Sequence, residues 1–371
     1  MKTLPKKSNI RPAVSKVPSR ADFNQVLALI DAARTRAVAA VNTMLIDLYW
    51  KIGEFISFKM ANEAWGQSTV DELAEHIRRR QPNARGFSGS NLRRMRQFFE
   101  TYRRTSIRAT LLRKLPWSHN LAILSRCRIR EEREFYLRMA SQERWSIREL
   151  QRQLNGALFE RTVLSPAKLS PPLRGLHPDA SAVFKDSYLV EFLNLSKDHA
   201  EADLHRGLVE RLKDFLIELG RDFCFVGSHY PIQVGNKDFE LDLLFFHRAL
   251  TCLVAIELKI EEFQPEHMGK LGFYLEALDR DVKKAHERPS IGVLLCATKN
   301  QEVVEYALSR IISPAIVAEY RTILPDKKLL QSKLHEFYEQ ASEQAKQLPE
   351  RGKSGRAGRK SKKLTKVIRR K

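Results

Sequence analysis

Two acids and a lysine, Asp242, Glu257 and Lys259, have the types and spacing that suit phosphodiester hydrolysis. Asp242 interrupts the apolar run Phe239 to Phe246, while Glu257 and Lys259 end the run Cys252 to Ile256 with Leu258 between them. Both runs read as strands. A hairpin turning about Ala249 and Leu250 would pair residues whose numbers sum to 499, setting Asp242 opposite Glu257. Side chains alternate along a strand, so Lys259 shares a face with Glu257. Hard carboxylate oxygens suit Mg²⁺, with Mn²⁺ as a substitute, and a neighbouring ammonium suits an attacking water or a developing negative charge. Asp242 and Glu257 are therefore the expected metal ligands, and Lys259 the residue that assists attack. An E-x-K spacing also occurs in surface ion pairs. The apolar setting favours the chemical reading, because charges within buried strands are costly unless paired or metal-bound.

A third carboxylate is expected from the helix preceding these strands, where Glu201 and Glu210 compete. Glu201 shares a helical stripe with Leu204, Leu208, Phe215 and Leu219, whereas Glu210 lies about 200° from Leu208 at about 100° per residue. Glu201 is accordingly the choice for a third metal ligand. After Pro265, residues Glu266, Lys270 and Tyr274 share one helix face. Lys270 is a candidate phosphate contact, beside its plainer reading as a solvated lysine. His247 and Arg248 fall at the far end of the hairpin from the acids and read as packing or surface residues.

The surrounding pattern from 181 to 347 is one helix (Glu201 to Leu219), several strand-like runs, a helix after Pro265, a strand from Ile291 to Ala297 and a helix from Gln301, which predicts an α/β domain. Ahead of it, Pro166, Pro171, Pro172 and Pro178 give residues 161–180 the composition of a linker. Residues 21–160 carry helical periodicity. Val41 to Phe58 predicts a strongly apolar helix, and capping-box spacing at Thr69/Glu72 and at Ser146/Glu149 marks two helix starts, the second running from Ile147 to about Phe159. A helix from about Ser90 to Arg104 puts Leu92, Met95, Phe99 and Tyr102 on one face and Arg93, Arg94 and Arg96 on others, the pattern of a candidate recognition helix. The nearby aromatics read as core. Residues 1–20 read as a flexible basic arm, and 348–371 as a disordered basic tail.

The chain has 371 residues and a net charge of +21, from 65 Lys and Arg against 44 Asp and Glu. The last 21 residues hold 11 basic side chains and no acidic one, and removing them takes the balance only to about +10. The excess thus belongs to the folded part too and points to a polyanion partner. No apolar run approaches a membrane span and no signal peptide is apparent, so the cytoplasm is the expected compartment. The cysteines at 127, 224, 252 and 296 lack metal-ligand spacing and read as buried, reduced thiols.

The chain resembles the YhcG-type nucleases of the PD-(D/E)xK superfamily. The resemblance rests on Glu-Leu-Gly-Arg-Asp-Phe (218–223), Leu-Asp-Leu-Leu-Phe-Phe-His-Arg (241–248), Ala-Ile-Glu-Leu-Lys (255–259) and Gly-Lys-Leu-Gly-Phe-Tyr-Leu (269–275), with further matches at 291–296 and 303–308. In the front half it rests on Leu-Tyr-Trp-Lys-Ile-Gly (48–53), Trp65-Gly66 and Gly-Phe-Ser-Gly-Ser-Asn-Leu-Arg-Arg-Met-Arg (86–96). It covers roughly residues 22 to 345. The likeness implies a restriction-endonuclease-like core, a mixed sheet flanked by helices, preceded by an all-α, winged-helix-like domain. It also implies that the acid, acid and lysine are Asp242, Glu257 and Lys259. The superfamily's usual proline before the first acid is replaced by Leu241, which removes no ligand.

Together these readings predict a metal-dependent endonuclease acting on DNA, duplex, branched or foreign, with RNA the less favoured substrate. A non-catalytic DNA-binding or defence-complex subunit that keeps the nuclease fold as a scaffold is the rival reading. A homodimer or a defence-system partner protein is compatible with either, although no interface pattern stands out.

Overall fold

In the computed structural model residues 20–63, 65–105 and 111–347 are described; the expected arm, apart from Arg20, and the expected tail lie outside them. The chain divides into two compact units, Met1–Trp117 and Ser118–Lys371. Among the described residues no helix is long and apolar enough to cross a membrane.

The first unit is built from α1 (Arg20–Asn62), α2 (Gln67–Arg80) and α3 (Gly89–Tyr102), with a 3₁₀ turn at Leu112–Lys114. Its described residues include no strand that could form a wing. Helices α1 and α3 cross at Gly53, where any Cβ would overlap the Met95 carbonyl. Ile46, Tyr49, Trp50 and Ile56 of α1 are buried, as are Leu92, Met95, Phe98 and Tyr102 of α3. Phe98 takes the buried place expected of Phe99, because Trp50 packs edge-on to both rings, at 5.9 and 5.0 Å between centroids. The start of α2 also differs from expectation. The helix begins at Gln67 with Gly66 as N-cap, and Thr69 accepts from the Gly66 N–H at 3.3 Å, so Thr69 is the third helical residue rather than the cap.

The second unit opens within α4 (Trp117–Arg126), whose first residue still belongs to the first unit, and continues with α5 (Arg130–Gln142), α6 (Ile147–Asn155) and α7 (Leu158–Leu164). The Ser146/Glu149 box caps α6 as expected, but the helix stops at Asn155 because Ala157 turns left-handed at φ +49°. The proline-rich stretch is packed structure. Ser170 caps α8 (Pro171–Leu176), whose prolines occupy the first turn where no N–H is needed, and α9 (Ala180–Val183) follows. Leu173 and Ala180 are fully buried, which explains why a linker composition folds here.

Beyond it, β1 (Ser187–Leu189), α10 (Glu201–Glu210), α11 (Leu212–Leu219), β2 (Phe223–Val234), β3 (Lys237–His247), β4 (Cys252–Glu262), α12 (His267–Ala277), β5 (Ile291–Thr298), α13 (Gln301–Ser309), β6 (Ala315–Arg321) and α14 (Lys327–Gln347) complete the unit. The single helix expected over 201–219 is broken at Arg211. The sheet order is β1-β6-β5-β4-β3-β2, with β1, β6, β5 and β4 parallel and β4, β3 and β2 antiparallel. Leu204, Leu208, Phe215 and Leu219 cover one face together with Leu243, Val254 and Ile256; Leu271, Tyr274 and Leu275 of α12, with Val304 and Leu308, cover the other. This is the α/β layering the sequence predicts.

Three cysteines are buried, and burial pushes Cys252 and Cys296 up to about 12, which keeps them unreactive. Cys224 corrects the expectation of four buried thiols. It lies on β2, the edge strand, and is exposed. At the far end of the β3–β4 hairpin, Thr251 sits at φ +53°, an unfavourable conformation for a β-branched residue. Thr251→Asn is expected to stabilise the protein by about 0.5–1 kcal/mol, read as a raised thermal midpoint, since Asn tolerates this region.

Candidate active site

The β3–β4 register is the one the sequence predicts: Leu243 faces Ile256 and His247 faces Cys252, each pair summing to 499. Pairing ends at Leu243. One residue further, the Asp242 carboxylate takes over from the ladder and accepts the Leu258 N–H at 2.7 Å. The strands therefore part where the acids sit, while β4 continues to pair with β5 past Lys259, opposite Cys296, and after an irregularity to Glu262, opposite Thr298. Strand alternation turns Glu257 toward the α12 face.

Glu257 is 1% exposed. One oxygen accepts from Lys270 of α12 and lies 3.6 Å from the Lys259 ammonium; the other is buried with no hydrogen-bond partner. Burial pushes the Glu257 carboxyl above its ordinary value, Asp242 adds to the rise, and Lys270 and Lys259 oppose it. Burial alone would depress Lys270, but Glu257 holds it above the usual lysine range. Lys259 is mostly buried, with its ammonium 3.3 Å from each oxygen of Glu201 and 2.7 Å from the Leu258 carbonyl.

The structure thus brings Asp242, Glu257, Lys259, Glu201 and Lys270 together. Glu210, at the opposite end of α10, is exposed and away from them. Glu201 is engaged with Lys259, and among the described residues no three His, Cys, Asp or Glu side chains group as a metal cage. Two surrounding residues add to the site: His205, which the sequence reading missed, and Tyr274, which it placed only on the Lys270 face. The His205 ring nitrogen Nε2 lies 3.1 Å from the Asp242 carbonyl oxygen, and its ring lies 3.9 Å from that of His229, tilted by 44°. The Tyr274 hydroxyl donates to the Glu240 carbonyl at 2.7 Å, tying α12 to β3 beside the site. The only sequence signal for His205 is its place one turn after Glu201. His247 is buried and accepts from the Leu250 N–H at 3.1 Å, so it closes the turn.

In the first unit Arg93 reaches Asp71 at 2.8 Å and Arg96 lies 3.6 Å from Glu100, so both are partly neutralised, while Arg94 is exposed. Arg78, Arg79 and Arg80 in the last turn of α2 and Arg85 after it are also exposed, Arg78 and Arg79 sharing Glu75.

Residues 181–335 match the family model described as the YhcG PDDEXK nuclease domain, and residues 25–161 match the DUF1016 N-terminal domain. The Escherichia coli (strain K12) protein YhcG is 31% identical over 347 residues, covering 83% of this chain and 92% of that one. The chain belongs to the YhcG family of PDDEXK nucleases. The family's nuclease-domain match encloses every member of the cluster built on β3, β4, α10 and α12. Two solved structures, a repair endonuclease from Pyrococcus abyssi and EndoMS in complex with double-stranded DNA, match at 15% identity with a TM-score of 0.23 over 36% of this chain. The matched stretch spans about half of each of them, 50% and 47%, and a likeness at that level carries no weight here.

Proposed function

We propose that the protein is a metal-dependent endonuclease that hydrolyses phosphodiester bonds in duplex, branched or foreign DNA, with Asp242, Glu257 and Lys259 as its catalytic residues. The single observation that carries this reading is the orphaned Glu257 oxygen. A buried carboxylate with one oxygen unpartnered is costly unless a ligand completes it, and the Asp242 carboxylate beside it is another hard donor. Asp242 and Glu257 would hold Mg²⁺, or Mn²⁺ in its place. The ion, when bound, would polarise the scissile phosphate and lower the pKa of water.

The chain's own groups do the rest. Leu258 N–H fixes the Asp242 carboxylate, His205 steadies the backbone at Asp242, and Glu201 holds the Lys259 ammonium at the sheet end. Glu201, the expected third ligand, is in this geometry a positioning residue for Lys259. Lys270 balances the buried charge of Glu257 and, at the half-exposed rim of the site, is placed to meet a phosphate oxygen. A cation near developing phosphate charge is stabilising in a half-buried site. The helical first unit, with its exposed arginines, supplies the DNA contact.

The test is cleavage of linear, supercoiled and branched DNA and of a matched RNA duplex by the full chain, with Mg²⁺, with Mn²⁺ and with chelator. Metal-dependent cutting of DNA supports the proposal. Tight binding without cutting under any metal would sink it in favour of the non-catalytic scaffold. Arg94→Glu is expected to weaken DNA binding about equally across sequences and to reduce the salt slope by about 1–2, the behaviour of a phosphate contact. Binding titrations at several salt concentrations check it.

A further inference from the structure

Glu201 is the first residue of α10, so its hold on Lys259 depends on where that helix begins. Lys259 leaves β4 on the same face as Glu257, the face that α12 covers, whereas Leu204 and Leu208 pack α10 on the other. The two side chains therefore meet round the end of the sheet. A lysine carries its charge on a flexible four-carbon stem, so its ammonium goes where its partners stand.

The start of α10 is weakly held by its own chain. Its N-cap is Ala200, which has no side-chain oxygen to offer the first turn, and only the reverse half of a capping box is present, Asp203 accepting the Ala200 N–H at 3.2 Å. Ser196, Lys197 and Asp198, just before it, are exposed. Between these exposed residues and the cap stands His199, partly buried and engaged at both ring nitrogens. Nδ1 lies 2.8 Å from the Ser196 carbonyl oxygen, and Nε2 lies 2.8 Å from the Tyr320 hydroxyl. A carbonyl can only accept, so in the neutral ring Nδ1 carries the proton and Nε2 accepts from Tyr320.

Tyr320 is the fixed end of this link. It lies on β6, is 3% exposed, belongs to the core that α10 covers, and pairs with Tyr188 of β1. Strands β4, β5 and β6 run parallel, with Lys259 opposite Cys296 and Cys296 opposite Glu319, so Tyr320 stands one step past the row that carries Lys259. One sheet thus carries both the lysine and the anchor for the helix start that presents its carboxylate. Without that anchor Glu201 moves with the loop, and the Lys259 ammonium, 3.6 Å from Glu257, is left to close on that acid.

We propose that Tyr320 and His199 form a clamp that positions Glu201, and through it the Lys259 ammonium, at the catalytic end of the sheet. Both act through Glu201 and are positioning residues. The cost to cleavage rests on the nuclease reading above. The placement of Lys259 does not, and is measured without nucleic acid.

The experiment is competitive acetylation of the full chain by acetic anhydride, without metal or nucleic acid, with the label at each lysine read by mass spectrometry. Wild-type Lys259 is expected to react slowly, because a mostly buried ammonium beside carboxylates keeps its proton. Tyr320→Phe keeps the ring in the core and removes only the hydroxyl. In that variant Lys259 is expected to react about five- to tenfold faster, the scale of one lost hydrogen bond, and His199→Ala should match it. Lys299, 1% exposed and held by Asp186 and the Val317 carbonyl, reports general loosening of the sheet and should be unchanged. Glu201→Ala should free Lys259 at least as much, and adding Tyr320→Phe to it should change nothing further, since a clamp acts only through what it holds. Single-turnover cleavage should follow the same pattern, falling about tenfold in Tyr320→Phe at unchanged DNA affinity and no further in the Glu201→Ala background. Unchanged Lys259 labelling in Tyr320→Phe, equal acceleration at Lys299, or effects of Tyr320→Phe and Glu201→Ala that multiply would each overturn the clamp. The expected labelling pattern in a chain that cuts no substrate would support the clamp and remove the nuclease reading alone.

Discussion

Lys259→Ala is expected to lower the single-turnover cleavage rate by about 10²–10³-fold while leaving DNA affinity within a few-fold. The magnitude follows from what loss of one preorganised donor at a developing oxyanion costs in other hydrolytic sites. The asymmetry between rate and binding follows from position. Lys259 is mostly buried, tethered to Glu201 and to the Leu258 carbonyl, and set 3.6 Å from Glu257. A group so placed contributes little to capturing a duplex and much to the step beside the two acids. Lys259→Arg should rescue poorly, because a planar guanidinium cannot take the place of a compact ammonium among three fixed oxygens. The measurement is rate against enzyme concentration in excess over labelled DNA, with affinity read separately under chelation. A rate within tenfold of wild type would remove Lys259 from the chemistry.

The second large effect is on stability. Glu218→Gln is expected to destabilise the second unit by about 3–5 kcal/mol, as breaking a buried ion network by removing one partner usually does. Glu218 is fully buried and gathers Arg152 at 2.8 Å, Lys185 at 3.3 Å and Arg161 at 4.0 Å, with the Leu189 N–H at 3.1 Å. Burial alone would push its carboxyl up, but Lys185, Arg161, Arg152 and the Leu189 N–H outweigh that and bring it to about 2. A carboxyl depressed in the folded state contributes stability above its unfolded value, and that contribution is lost as pH falls toward about 2. The gap between wild type and Glu218→Gln should hence be constant from pH 7 to pH 6 and close only in strong acid. For a unit of this size the loss corresponds to a fall in Tm of roughly 6–20 °C, measurable by thermal melts across pH. Equal melting temperatures at pH 7 would mean that the three cations find other partners.

Glu218 also shows where sequence reading stops. It stands in the Glu-Leu-Gly-Arg-Asp-Phe stretch that carries part of the family resemblance, yet nothing in its helical spacing reveals three cations from α6, α7 and the α9–β1 connection. Those partners are 33 to 66 residues away, and only docking of helices brings them together. Lys270 is similar. Its helix face was legible, its partner was not, because the angle at which α12 crosses the sheet decides whether the ammonium meets solvent or Glu257.

What the sequence by itself determined is local and periodic. The two-residue repeat of β3 and β4 and the length of the turn between them set the register that places Leu243 level with Ile256, one step short of Asp242 and Glu257, since a slip of one residue would turn every apolar side chain outward. The Ser146/Glu149 box set the start of α6 for the same reason, every partner lying within one turn. Only the tertiary structure decided that Asp242 replaces a missing ladder bond at Leu258, that Glu201, the acid chosen from helical spacing, spends its carboxylate on Lys259, and that the proline-rich stretch is packed. Each of these depends on surfaces far apart in the chain meeting at a particular distance and angle, and free energies of packing, not residue order, select that meeting.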